Sequence, residues 1–429
     1  MFAQVKATFV SLHYFNYRLW FAGALVSNLG TWIQRIGQDW LVLRLLTDSD
    51  GVATAWVTAL QFIPVVLLTP YAGVLADRLS RRKLLLATQA GQGLLAFILG
   101  ALTLTGAVRL WQVFVLAFLL GCVTAIDGPV RQTFVSNMVP PDRLSNAVGL
   151  NSASFNSSRL LGPALAGLLI HLLGTGWTFI INGATFVATI AALLAMRPAL
   201  LYPSPKAPRE RGQLRAALAY VRGRRDLMMI FIIVGVISCL GFNSQLTISL
   251  MATKVFDREA AQFGLLSSIF AIGALLGALV AARRRHPRLR LILSAAFFFG
   301  VFSLVSSVMP TYLSFGLSGI FVGVFMLTLL TGANATVQMS TAPAMRGRVV
   351  ALYLIVFQGV TPFGSLVIGA VAEHISTRWA IGVGGLSALA ISVGALIWAR
   401  LNWKVSVRLE QVFPPRFTVV EPLDDHLVR

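Results

Sequence analysis

Charge is what this chain has least of. Its 429 residues hold 15 Asp and Glu against 35 Lys and Arg, 12% in all, while 57% are hydrophobic. A soluble domain carries about 25% charged residues, so this chain lacks the means to cover a water-facing surface of its own. Cysteine is nearly absent: Cys122 and Cys239 both lie in apolar segments and suggest neither a disulfide framework nor a metal site. The five histidines show no ligand spacing. No G-x-x-x-x-G-K-[ST] loop occurs, which argues against ATP as an energy source within the chain. No G-x-S-x-G nucleophile or H-E-x-x-H pair occurs either, so the reading is not an enzyme and calls for no cofactor. The first twenty residues lack a short apolar core followed by a small-residue cleavage site, so the first apolar segment is expected to stay as an anchor.

What the chain does have is apolar length. Mean hydropathy is +0.79, and runs of roughly 20 residues, enough to span a bilayer, recur almost throughout. With Gly, Pro and charge as boundaries they fall at 19–46, 52–76, 84–106, 110–128, 145–172, 176–196, 227–252, 261–282, 290–308, 312–336, 348–372 and 379–400. Twelve crossings place both termini on one side. Of the 35 cations, 28 then fall on the side of the termini and five on the other (Arg44, Arg109, Lys254, Arg258, Arg378). Cytoplasmic loops carry the excess of Lys and Arg, so both termini are expected in the cytoplasm of a bacterial cell with the chain in its inner membrane. The formal charge of +20 is therefore assigned to topology and anionic lipid rather than to nucleic acid. The one long polar connection, 197–226, holds four prolines and then a basic amphipathic stretch. It separates an N-terminal unit, 1–196, from a C-terminal unit, 227–400, and a cytoplasmic tail follows at 401–429. The halves echo each other weakly, with Gly162 and Gly167 matching Gly364 and Gly369 at an offset of 202.

Between the second and third runs stands Gly73-Val74-Leu75-Ala76-Asp77-Arg78-Leu79-Ser80-Arg81-Arg82-Lys83. It resembles the signature G-x-L-a-D-r-x-G-r-[RK] of the major facilitator superfamily, departing only at Ser80. Three further segments narrow the resemblance: Trp32 to Leu43, Asp127 to Thr133 followed by Val139 to Ala147, and Ser158 to Gly167. Together they look like the branch that contains the enterobactin exporter and the mycobacterial-type drug efflux pumps. The resemblance covers roughly residues 14–400. It implies an all-α membrane protein of twelve helices in two pseudo-symmetric six-helix bundles, monomeric, working by alternating access on a small-molecule substrate. It also implies export coupled to inward proton movement, with drugs and siderophores among the substrates. One departure is that the fourth segment carries no arginine in its interior, where many drug antiporters have one; Arg109 stands at its edge.

Ionisable groups inside apolar segments are costly, which makes each a functional candidate. Arg35 and Asp39 are four apart on one helix face and can pair; Asp39 is either a proton-binding carboxylate or half of a structural pair. Gln34 and Gln38 flank them. Arg159 stands mid-segment, where it could meet an anionic substrate, Asp39 or carbonyl oxygens. Asp127 and Arg131 are again i and i+4. The resemblance implies a gate in which Asp77 faces the start of the eleventh helix and the cations Arg78, Arg81 and Arg82 meet acids at the base of the fourth, here Asp127. Uncharged polar residues at mid-segment complete the cavity candidates: Gln61, Asn156, Asn243, Asn334, Gln338 and Gln358, each equally able to serve as an interhelical hydrogen bond. The leading expectation is a proton-driven exporter of hydrophobic or amphipathic compounds. The alternatives are a dedicated siderophore exporter and a lipid flippase.

Overall fold

The computed structural model describes residues 9–202, 213–282, 289–403, 406–410 and 416–420; within these, the side chains at 69–78, 213–214, 281–282, 343–344, 402–403 and on the two strands lie outside the description. The N-terminal half contributes α1 (Phe15–Trp40), α2 (Gly51–Arg78), α3 (Arg81–Leu104), α4 (Leu110–Phe134), α5 (Leu144–Leu173) and α6 (Thr175–Ala195). A short helix α7 (Gln213–Gly223) precedes the C-terminal half. That half holds α8 (Arg225–Leu240), α9 (Ser244–Leu250), α10 (Ala260–Ala282), α11 (Leu289–Ser307), α12 (Tyr312–Ser340), α13 (Pro343–Gly359), α14 (Thr361–His374) and α15 (Thr377–Trp403). The tail adds an antiparallel ribbon, β1 (Ser406–Glu410) with β2 (Arg416–Val420), which the all-helical expectation did not contain.

Among the described residues, ten helical segments are long and apolar enough to cross a membrane. Large apolar side chains such as Leu67, Leu172, Leu313 and Leu401 stand more than half exposed on the outside, as a lipid-facing surface requires. Two long helices fall outside the ten, α1 with 26 residues and α5 with 30. These two carry Arg35, Asp39 and Arg159, and their polar faces turn toward the interior. These polar and charged side chains lower the hydropathy of the two helices.

Two of the expected crossings are interrupted. The run at 227–252 divides into α8 and α9 at Gly241–Asn243, where the Asn243 side-chain amide donates to the Cys239 carbonyl at 2.7 Å. The run at 348–372 divides into α13 and α14 at Val360, just before Pro362, whose missing N–H leaves a gap in the helical ladder. Broken backbone at membrane depth is tolerated where it lines a cavity, and both breaks do.

The halves meet along two seams, α5 on α10 and α2 on α14. Glycine makes both possible. A Cβ at Gly167 would strike the carbonyl of Ala260, and one at Gly369 would strike the side chain of Ala55. Their companions are placed in parallel: Gly162 admits Trp32 of α1, and Gly364 admits the Cys239 carbonyl of α8. The sequence echo at offset 202 thus marks equivalent packing positions against the first and second segments of the opposite or same half. A second echo was not read from the sequence. Both α1 and α9 leave their last turns as π-helix, Leu41–Leu46 and Met251–Val255. A non-glycine residue with positive φ follows each, Ser49 at 59° and Asp257 at 45°.

Candidate functional site

Between the halves lies a cavity of about 540 Å³. On α1, Trp32, Arg35 and Asp39 line it at spacings of three and four, one face of one helix. On α5, Phe155 and Arg159 line it, again four apart. Each helix therefore presents an aromatic ring and, a turn later, a guanidinium. Trp32 meets Phe155 edge-on with ring centroids 6.0 Å apart. Arg35 lies over the Trp32 ring, its Cζ 5.0 Å from the centroid. Across the cavity, Phe242 packs on Phe357 at 5.3 Å, and Phe357 stacks on Tyr353.

Asp39 is 8% exposed and accepts a hydrogen bond from the Gln245 side-chain amide at 3.0 Å. That bond joins α1 to α9, one half to the other. No Arg35–Asp39 ion pair within 4.0 Å exists among the described residues, so the self-neutralising pair suggested by i, i+4 spacing is not formed; Arg35 turns to Trp32 instead. Arg159 does not reach Asp39 either. Its guanidinium makes no hydrogen bond or ion pair among the described residues, though it lies within electrostatic reach of Arg35.

Of the other cavity candidates, Gln38, Gln61, Asn243, Asn334 and Gln358 line the chamber. Gln34, Asn156 and Gln338 do not. Asn156 is turned back on its own helix, donating to Ser152 O at 2.9 Å, and Gln338 donates to Asn334. Gln34 binds Asn182 and faces a separate chamber of about 90 Å³ with Gln38, Gln61 and Gln92. Among the residues lining it, the Gln92 side-chain nitrogen is buried without a protein partner. A chamber of this size with several side-chain amides in its wall suits bound water. The aromatic lining was missed from the sequence, because a phenylalanine in an apolar run reads the same whether it faces lipid, core or cavity.

The described gate residues make their contacts within the N-terminal half. Asp127 is 5% exposed and accepts from Arg131 at 3.0 Å and from Thr88 and Gln89 at 2.7 Å each. Arg131 in turn lies over Trp20. Arg81 donates to Asn137, and Arg82 to the Leu193 and Leu194 carbonyls, all within the N-terminal half. Neither meets Asp127 in this state. The side chains of Asp77 and Arg78 lie outside the described residues.

The opposite end, where Arg44 stands, carries the contacts that join the halves. Arg44 donates to Asp257 at 2.7 Å and to the Thr253 carbonyl at 3.1 Å. Glu373 accepts from the Gly51 backbone at the start of α2, 3.0 Å away, and is held by Lys254 at 2.6 Å. A carboxylate at a helix N-terminus is favoured by the exposed amides and the dipole there. His171 and Glu259 approach to 3.8 Å. None of these residues forms a motif, and only the folded chain brings them together.

The profile of the family described as transmembrane secretion effector matches residues 7–419. The chain belongs to this family, within the major facilitator superfamily. It is 24% identical over 400 residues to the staphyloferrin A transporter of Staphylococcus aureus (strain NCTC 8325 / PS 47), covering 92% of this chain and 98% of that one. It is 26% identical over 403 residues to the enterobactin exporter EntS of Escherichia coli (strain SMS-3-5 / SECEC), covering 88% and 89%. A solved POT family transporter, in complex with a thioalcohol conjugated peptide, superposes with a TM-score of 0.72 at 12% identity, covering 90% of this chain and 96% of that one. At that identity the likeness speaks for the fold alone. This family member is a multi-pass membrane transporter and not an enzyme.

Proposed function

We propose that this transporter exports hydrophobic or amphipathic small molecules in exchange for protons. Twelve crossings in two six-helix bundles would alternate the cavity between the two sides of the bacterial inner membrane. The observation that carries the reading is the cavity itself. It lies between the halves, mostly apolar with several aromatic rings in its wall, and among the described residues one buried carboxylate there is bonded across the divide. Most ligand sites are such apolar clefts with a few placed polar groups.

The excess of cations at the Arg81 end assigns that end to the cytoplasm, which makes the Arg44 end external. The state described is then closed outside by Arg44–Asp257 and Glu373–Gly51. In it, Asp39 accepts from Gln245. Opening the outer end separates α1 from α9 and removes that donor, which leaves the carboxyl open to a proton from outside. On return, Gln245 engages it again and the proton leaves inward. The neighbouring polar chamber supports a hydrated route to Asp39. The arginines after Asp77 would latch the cytoplasmic end in the other state, when the halves close there.

A siderophore as substrate is the second reading, supported by the likeness to the staphyloferrin A transporter and the enterobactin exporter and by Arg159, which has no hydrogen bond or ion pair among the described residues. Proteoliposomes loaded with an amphipathic dye test the first. Efflux driven by an imposed proton gradient and stopped by an ionophore supports antiport; efflux indifferent to the gradient sinks it.

A further inference from the structure

We infer that the cavity selects substrates bearing an anionic group, a carboxylate or a similar oxyanion, attached to an aromatic or otherwise apolar body, with Arg159 as the residue that receives the charge. The inference rests on the cavity being the substrate site and names the class that site would take.

Three observations converge. The charged side chains lining the cavity are Arg35, Asp39 and Arg159, a net positive charge enclosed by apolar and amide groups. The single acid is already engaged by Gln245. Arg35 is satisfied in part by the face of Trp32 and by attraction to Asp39, whereas Arg159 has neither a hydrogen bond nor an ion pair among the described residues and faces Arg35, a like charge. An unpaired guanidinium removed from bulk water is costly. Its planar fork matches a carboxylate in two parallel hydrogen bonds. The rings beside it, Trp32 and Phe155, offer a wall for an apolar or aromatic body. Gly162 lets α5 approach Trp32 closely enough to build that wall. A cation would instead face two arginines and an occupied carboxylate.

The test uses the purified full-length protein and a matched pair of probes, pyrenebutyrate and its methyl ester, followed by fluorescence anisotropy. The acid is expected to bind about 10- to 100-fold more tightly than the ester, the range of a charge-assisted hydrogen-bonded pair. Arg159→Gln should erase that preference, weakening the acid far more than the ester; Arg159→Lys should restore part of it. A melting curve for each variant shows that it is folded, and residual ester binding shows the same at the site. Equal binding of acid and ester by the native protein overturns the inference alone. Binding of neither probe overturns the cavity reading with it. Retention of the preference in Arg159→Gln assigns the charge elsewhere and overturns the role of Arg159. Short-chain phosphatidylglycerol and phosphatidylcholine as competitors identify the source of the oxyanion. Displacement by the anionic lipid only assigns a headgroup, and displacement by neither assigns a soluble acid. Equal displacement by both shows that charge is not read and overturns the proposal.

Discussion

With the Arg44 end external, as proposed, removing the charge of Glu373 should open that side, and by more than removing the charge of Asp257. Both acids join the halves at the Arg44 end, yet their surroundings differ. The Asp257 side chain is 87% exposed beside an Arg44 that is 30% exposed, and such pairs contribute about 0–1 kcal/mol. The Glu373 side chain is 33% exposed, bonded to Lys254 at 2.6 Å and to the amide of Gly51 at 3.0 Å. Charge-assisted bonds contribute about 1.5–3 kcal/mol when well shielded. Partial exposure lowers this, and glutamine keeps an acceptor oxygen, so Glu373→Gln should cost the closed state about 1–2 kcal/mol, roughly 5- to 30-fold in population. Asp257→Asn should cost less, about 0–1 kcal/mol and so about fivefold at most. A reporter cysteine at Thr58, on the cavity wall about two turns below Gly51, would be placed in a background with Cys122 and Cys239 replaced by serine. The measurement is its rate of modification by a membrane-impermeant maleimide added outside intact cells. An unchanged rate in Glu373→Gln, or an Asp257→Asn effect as large, would refute the latch as described.

Three further outcomes follow from the same geometry. Asp39→Asn should lower gradient-driven efflux about tenfold or more while probe binding stays within a few fold; full coupling in that variant removes the carboxylate from the proton step. Gly264→Ala should lower the melting temperature, because its new methyl would meet the Pro163 carbonyl at the α5–α10 seam, a clash of about 1–3 kcal/mol. Gly394→Ala, in open space, should be neutral or slightly stabilising, and equal effects of the two would contradict the seam. If an anion leaves as a proton enters, both steps carry charge in the same direction. An inside-negative potential of about 100 mV then favours the cycle by about 2.3 kcal/mol per charge. A valinomycin-imposed potassium potential should speed efflux of the acid more than of its ester, and equal acceleration speaks against anion export.

Much of the fold was legible because lipid imposes one rule along the whole chain. Every crossing must be apolar and long, so twelve runs could be read from composition, and among the described residues ten helical segments are long and apolar enough to cross. Two helices, α1 and α5, are less apolar than these ten, and they carry Arg35, Asp39 and Arg159, three charges that face the cavity. Arg35, Asp39 and Arg159 were legible as single residues for the same reason, since an ionisable group at membrane depth stands out against its neighbours. Their partners were not. Spacing along α1 suggested that Arg35 pairs with Asp39, but a neighbouring ring and an amide from α9 took the two groups apart. Asp127 went to Arg131, Thr88 and Gln89 and, in this state, not to Arg81 or Arg82.

The sequence by itself determined that the chain crosses a membrane many times, which superfamily it resembles and which few charges are buried. Those depend on composition and local order. Only the tertiary structure decided which face of each helix meets the cavity, that Gln245 reaches Asp39, and that Arg44, Asp257, Glu373 and Gly51 close one end. Each of these joins residues some two hundred positions or more apart. Such contacts exist only where the two glycine-lined seams bring the halves together, and no local pattern encodes them.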